Sequence, residues 1–198
     1  MADTLVGMAE GLGLLPNNTT REIDAEDVRR VAVSYLPDRG QAFGDPALSP
    51  WVVPIPAVDT WVDIPTAIGG SAAMVQGDAL FWRMDANGQL GYDYAADWPT
   101  VAVPAGYTRQ VTLLGVVNID PNGDTWQFAF TIDGVIQEPV FTVETAIQTD
   151  AVVVALVSGD PIDVSLAPRV SMSVRNVSNA NDLDLNLVSM RATGGPLA

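Results

Sequence analysis

Residues 152–187 read VVVALVSGDPIDVSLAPRVSMSVRNVSNANDLDLNL. Three runs in this stretch alternate apolar with other residues at period two: Ile162/Val164/Leu166, Val170/Met172/Val174 and Leu183/Leu185/Leu187. A period of two puts each apolar set on one face of a strand and its neighbours on the other. Gly, Pro, Asn and Asp separate the runs, which is the punctuation of an antiparallel sandwich or barrel.

The same grammar extends upstream. Trp61 and Ile64 predict a first strand and residues 79–84 (ALFWRM) a second. Residues 85–88 (DANG) predict a turn and 89–94 the return strand. Residues 110–119 form a long β-rich run, and 121–124 (PNGD) suit a tight hairpin turn. In residues 125–132, Trp126, Phe128, Phe130 and Ile132 share one face. Asp133-Gly134 turns the chain again before strands at 140–145 and 152–157. About ten strands joined by short loops predict an all-β fold, a ten-stranded antiparallel jelly-roll sandwich.

Composition narrows the chemistry. Hydrophobic residues make up 48% of the 198, enough for a core. The longest unbroken apolar run, 151–157, is far short of the roughly 20 residues a membrane-spanning helix needs. The first residues have neither a positive n-region nor a sustained apolar h-region, so no secretory signal is expected. Cys, His and Lys are absent, and all nine positive charges are arginine. That excludes disulfides, Cys/His zinc sites, Cys nucleophiles, Ser-His dyads, and the lysines of Schiff bases and phosphate loops. A net charge of −15 opposes binding to a phosphate backbone, so no nucleic-acid partner is expected. No membrane partner is expected either.

The N-terminal part reads differently. Residues 1–22 lack a clear period and predict an extended arm. Asp24 is a good helix N-cap, with Glu26 and Asp27 at the positive end of the helix dipole. Ile23 closing on Val28 makes a hydrophobic staple. Val28, Val31 and Tyr35 then line one apolar stripe, with Arg29 off it. A helix this short is marginal alone and must dock on something. Residues 37–58 are rich in Pro and Gly and predict a stiff connector. The expected division is therefore 1–50 (arm, short helix, connector) and 51–198 (β domain).

Few residues look like a site. Asn118, Asp120, Asn122 and Asp124, with Gly123 between, nearly match the opening of a calcium loop, where alternate oxygens wrap a hard cation. The twelfth position is Ala129 instead of Glu and the flanks are strands, so a hairpin turn is the competing reading. Calcium is the one cofactor considered. Asp59/Asp63 and Asp93/Asp97 have the spacing of paired glycosidase carboxylates, although acids are plentiful enough for chance pairs. Trp61, Trp82, Trp98, Trp126, Tyr92 and Tyr94 suit a sugar-stacking platform or a packed core. No catalytic residues are predicted, and the expectation is a protein that is not an enzyme.

Residues 125–187 resemble a C1q/TNF-like jelly roll in three features: WQFAFTIDG, SGDPIDVSL, and the Asn-rich loop with its closing strand in SMSVRNVSNANDLDLNLVSM. The resemblance implies a compact homotrimer about a threefold axis. Residues 15–36 (LPNNTTREIDAEDVRRVAVSYL) are similar to a segment near the start of tailed-bacteriophage head-fibre, decoration and tail-fibre proteins. Asn18, Thr19, Ile23, Asp24, Asp27, Val28 and Arg29 carry that likeness. It implies that Ile23, Asp24, Val28, Arg29, Val31 and Tyr35 form an attachment or trimerisation helix. Together the two resemblances imply a virion structural protein, assembled in the host bacterial cytoplasm. Its role would be capsid decoration (cement) or head fibre, and its partners would be itself and the major capsid protein or another virion protein. The alternatives are a fibre tip recognising host surface glycans and, after it, a polysaccharide hydrolase.

Overall fold

Trp126, Phe128 and Phe130 point the same way, as their spacing requires, and all three are buried. They lie on one of thirteen strands in a computed structural model that describes residues 39–93, 111–146, 150–158, 162 and 168–194. In chain order these are β1 (Arg39–Gly44), β2 (Trp51–Val53), β3 (Val62–Asp63), β4 (Met74–Leu80), β5 (Trp82–Met84), β6 (Leu90–Tyr92) and β7 (Val111–Ile119). There follow β8 (Thr125–Ile132), β9 (Val135–Ile136), β10 (Phe141–Glu144), β11 (Val152–Val157), β12 (Arg169–Asn176) and β13 (Leu183–Gly194). One short helix, α1 (Ile64–Ala67), follows β3. The predicted arm and the helix residues Ile23, Asp24, Val28, Arg29, Val31 and Tyr35 lie outside the described residues.

The strands form two antiparallel sheets. A six-stranded sheet runs β11-β7-β13-β1-β4, with β2 also on β13. A seven-stranded sheet runs β10-β8-β12-β6-β5, with β3 on β12 and β9 on β8. From β7 onward the chain passes to β8 and β10 in the second sheet, back to β11, across to β12 and back to β13. This repeated crossing is the winding of a jelly roll, as expected. The count exceeds ten because several edge pieces are only two or three residues long.

The inner faces meet closely. A Cβ added at Gly115 of β7 would stand 2.4 Å from Met172 Sδ of β12 and 3.2 Å from Phe130 Cζ of β8. At the other end of the sandwich, Gly40 of β1 faces Trp82 of β5. The core includes the fully buried Phe81, Trp82, Trp126, Phe128, Ile119, Leu156 and Leu183. Burial of each contributes about 1.5–3 kcal/mol. Gly40→Ala tests the fit. Its Cβ would come within 2.4 Å of Trp82 Cβ, the root of a buried ring that cannot swing aside. The expected loss is about 2 kcal/mol by denaturant unfolding; an unchanged midpoint would show that the sheets slide apart there without penalty.

Several local expectations are corrected. The stretch read as a connector supplies β1, which sits between β13 and β4, and β2 on β13, so residues 39–53 are part of the sandwich. Ile64 is helical instead of extended: the Asp63 carboxylate caps α1 by accepting from Thr66 N–H at 2.9 Å, and Pro65 sits in the first turn. Residues 79–84 are split between sheets. The chain leaves β4 and enters β5 at Phe81, whose φ of +64° makes the corner. Residues 121–124 join β7 to β8 across the two sheets, so they form a corner and not a hairpin.

The opening stretch also differs in part. Residues 163–167 lie outside the described residues, and Ile162 is buried without being in a strand. In β13, Leu183 and Leu185 are buried but Leu187 is 43% exposed. The pairing with β7 shifts between Leu185 and Leu187, and such a bulge turns the following residues to the opposite face. Val188, Met190 and Ala192 then take the inward positions.

Candidate functional site

The 118–124 segment holds its carboxylate in a cage of amides. Asp124 is 4% exposed at the mouth of β8. Its Oδ2 accepts from Asn176 Nδ2 at 3.0 Å and from Asn181 Nδ2 at 3.1 Å, and its Oδ1 accepts from Asn179 Nδ2. Its main-chain carbonyl accepts from Thr145 N–H at 2.9 Å and Thr145 Oγ1 at 2.8 Å. Asn176, itself fully buried, is aimed by its Oδ1, which accepts the N–H groups of Ser178 and Asn179. The Asn-rich loop after β12 is thus wound around one carboxylate contributed by the corner before β8.

This arrangement does not fit calcium. A hard cation takes converging oxygens, whereas the groups aimed at Asp124 are N–H donors. The other candidates turn elsewhere. Asn122 Oδ1 accepts from Asp124 N–H at 3.1 Å and Trp126 Nε1 at 3.3 Å, and Asp120 Oδ1 accepts from Asn186 Nδ2 at 2.6 Å. Asn118 lies within β7. Only Asn122 and Asp124 are brought together, through a main-chain turn. Among the described residues no cluster of three or more acidic side chains is placed to hold a metal ion.

The other sequence candidates serve the fold. Asp59 pairs with Arg175 at 2.8 Å, and that guanidinium lies 4.6 Å above the Trp61 ring. Asp63 caps α1 and also accepts from Gln89 Nε2 at 3.3 Å. Asp97, Tyr94 and Trp98 lie outside the described residues. Trp82, Trp126 and Tyr92 are buried, with Trp82 and Tyr92 edge to face at 5.3 Å, so they are core and not a platform.

The surface that stands out is the outer face of the six-stranded sheet. Strand register builds it row by row: Val157, Leu114, Arg191 and Gln41 in one, Ala155, Val116, Ser189, Phe43 and Val75 in the next, and Val153, Asn118 and Leu187 in the third. Val153 is 64% exposed, Val157 46% and Leu114 43%. Arg191 is the one ionisable side chain within these rows. Charge returns at the margins, where Arg39 and Asp78 pair at 3.0 Å and where Asp120 N–H donates to the Asp184 carbonyl at 3.1 Å. An apolar centre inside a polar rim is the anatomy of a protein interface.

Sequence reasoning passed over this face, although the signal was present. Residues 151–157 are apolar at every position, so β11 offers apolar side chains to both sides of the sheet. A strand with a solvated outer face alternates.

No family model matches the chain, and no curated protein matches it. Among solved structures it is similar to one titled PRD1 vertex protein P5, at 10% identity and a TM-score of 0.42, over 80% of this chain and 96% of that one. A likeness at this level assigns neither fold nor role.

Proposed function

We propose that the chain is a non-enzymatic structural protein of a tailed-bacteriophage virion, a homotrimer that decorates the capsid or forms a head fibre. In this reading copies associate through the outer face of the six-stranded sheet, and residues 1–38 anchor the assembly to the coat.

The apolar outer face carries the proposal. A chain of net charge −15 repels its own copies over most of its surface. The rows from Val153 to Val75 hold no carboxylate, so two copies can approach there without bringing acids together. Association then removes apolar surface from water at about 25 cal/mol per Å². The threefold order and the virion setting rest on the resemblances of residues 125–187 and 15–36. Repetition about an axis multiplies a weak coat contact through effective concentration.

Removing residues 1–38 tests the anchor. The shortened chain keeps every strand among the described residues. It should fold and self-associate but fail to join particles when supplied in trans to a phage lacking the full chain. Incorporation at the wild-type level would refute the anchor.

A further inference from the structure

The chain contains two Asn-Gly pairs, Asn87-Gly88 and Asn122-Gly123. An asparagine before glycine is where a backbone most readily attacks its own side chain, because glycine has no Cβ to shield the amide nitrogen. Both pairs lie between strands, and the sequence alone does not separate them. Their hydrogen bonds do.

At the first pair the nucleophile is occupied. Gly88 N–H donates to the Asp85 carbonyl at 3.1 Å, and Gly88 is buried. A Cβ built on it would stand 2.9 Å from Met74 Cγ and 3.1 Å from Pro65 Cβ, so that side of the backbone is closed. Asn87 N–H is tied as well, to Asp85 Oδ1 at 2.8 Å. The Asn87 side chain is exposed, and no donor among the described residues reaches its carbonyl oxygen.

The second pair is arranged the other way round. Asn122 and Gly123 are both exposed, and Gly123 N–H donates to no acceptor among the described residues. Asn122 Oδ1 accepts from Asp124 N–H at 3.1 Å and from Trp126 Nε1–H at 3.3 Å. Both partners are donors, so only the oxygen of the side-chain amide can face them. The bond to Asp124 N–H folds the side chain back over the main chain that follows it, toward the Gly123 nitrogen. The two donors are firmly placed, since Trp126 is fully buried and Asp124 is 4% exposed.

That placement bears on reactivity. When a nitrogen adds to an amide carbonyl, negative charge gathers on the oxygen, and N–H groups already aimed at it stabilise the charge. We propose that Asn122 is a self-modification site that deamidates through a succinimide, with Asp124 N–H and Trp126 Nε1–H as its oxyanion hole, whereas the fold protects Asn87. Hydroxide removes the Gly123 amide proton, and the nitrogen bonds to Asn122 Cγ. The Cγ–Nδ2 bond then breaks, and Nδ2 takes a proton from water and leaves as ammonia. A water molecule opens the five-membered ring at either carbonyl. One opening gives aspartate; the other gives isoaspartate, with the main chain rerouted through the side-chain carbon. The sum is asparagine plus water giving the acid plus ammonia, with no change of oxidation state. Either product adds a carboxylate two residues before Asp124, at the corner that carries it into the amide cage.

The test follows both sites by peptide mapping with mass spectrometry while the full chain ages at mildly alkaline pH, folded and in concentrated urea. Unfolding erases the differences that the fold imposes, so in urea the two sites should convert at similar rates. In the folded chain Asn122 should convert at least tenfold faster than Asn87, and at least as fast as it does in urea. Isoaspartyl methyltransferase should label the peptide containing position 122, and Asn122→Gln should abolish that label. Trp126→Phe removes one donor to the oxyanion; with its fold checked by circular dichroism, it should slow conversion at Asn122 several-fold. Protection of Asn122 in the folded chain relative to urea, equal rates at the two sites in the folded chain, or an unchanged rate in folded Trp126→Phe would overturn the proposal.

Discussion

Leu114→Asp yields a chain that sediments as a monomer and keeps its β fold by circular dichroism. Leu114 is already 43% exposed on the outer face of β7, so its replacement removes no packing from the core. Its neighbours across the strands are Val157 and Arg191. In a threefold assembly the substitution buries an added carboxylate from each copy in the contact; Arg191 opposite it offsets part of the repulsion, but taking the extra ions out of water still costs on the order of a few kcal/mol. Sedimentation velocity reads the change directly. If the variant keeps the wild-type mass, the copies meet through some other surface.

Asp124→Ala acts on folding instead. The carboxylate is the common acceptor of Asn176, Asn179 and Asn181, and its loss strands amide donors inside the cage. An orphaned buried donor costs about 1–3 kcal/mol, and the exposed rim of the loop relaxes part of that, so the expected destabilisation is about 3 kcal/mol. Denaturant unfolding measures it. Asp124→Asn should fall between the two, because its amide keeps one acceptor oxygen and turns a donor toward the other asparagines. An Asp124→Ala chain as stable as wild type would mean that the 176–181 loop is held by its own turns alone.

Much of the sandwich was legible in the sequence because its central strands obey one rule. Trp126, Phe128 and Phe130 on β8 and Val170, Met172 and Val174 on β12 alternate and are buried, although Ala129, Thr131, Ser171 and Ser173 between them are buried too. The misreadings arose where tertiary structure interrupts that rule. A bulge before Leu187 exchanges the faces of β13, and no residue type announces it. Residues 121–124 carry hairpin chemistry, yet the strands they join belong to different sheets, because Asp124 is drawn into a loop more than 50 residues away. The calcium-like spacing came from that same structural demand: Asn and Asp at alternate positions served to wind a corner. Prolines suggested a connector at 37–58, but short strands at a sheet margin accommodate proline beside them, and β1 pairs on both sides.

The apolar outer face of the six-stranded sheet was hidden for a related reason. Its residues are scattered over β11, β7, β13, β1 and β4, and only strand pairing sets Val153 beside Leu187 across Asn118, or Phe43 beside Val75. Each strand on its own reads as an ordinary sandwich strand with a few outward apolar residues. Assembled, they form a broad stretch in which Arg191 is the one ionisable side chain.

Multi-angle light scattering of the purified full chain tests that conclusion most directly. The account predicts a single species at three times the 20.9 kDa chain mass, unchanged on moderate dilution. A species at 20.9 kDa across the same concentrations would contradict it.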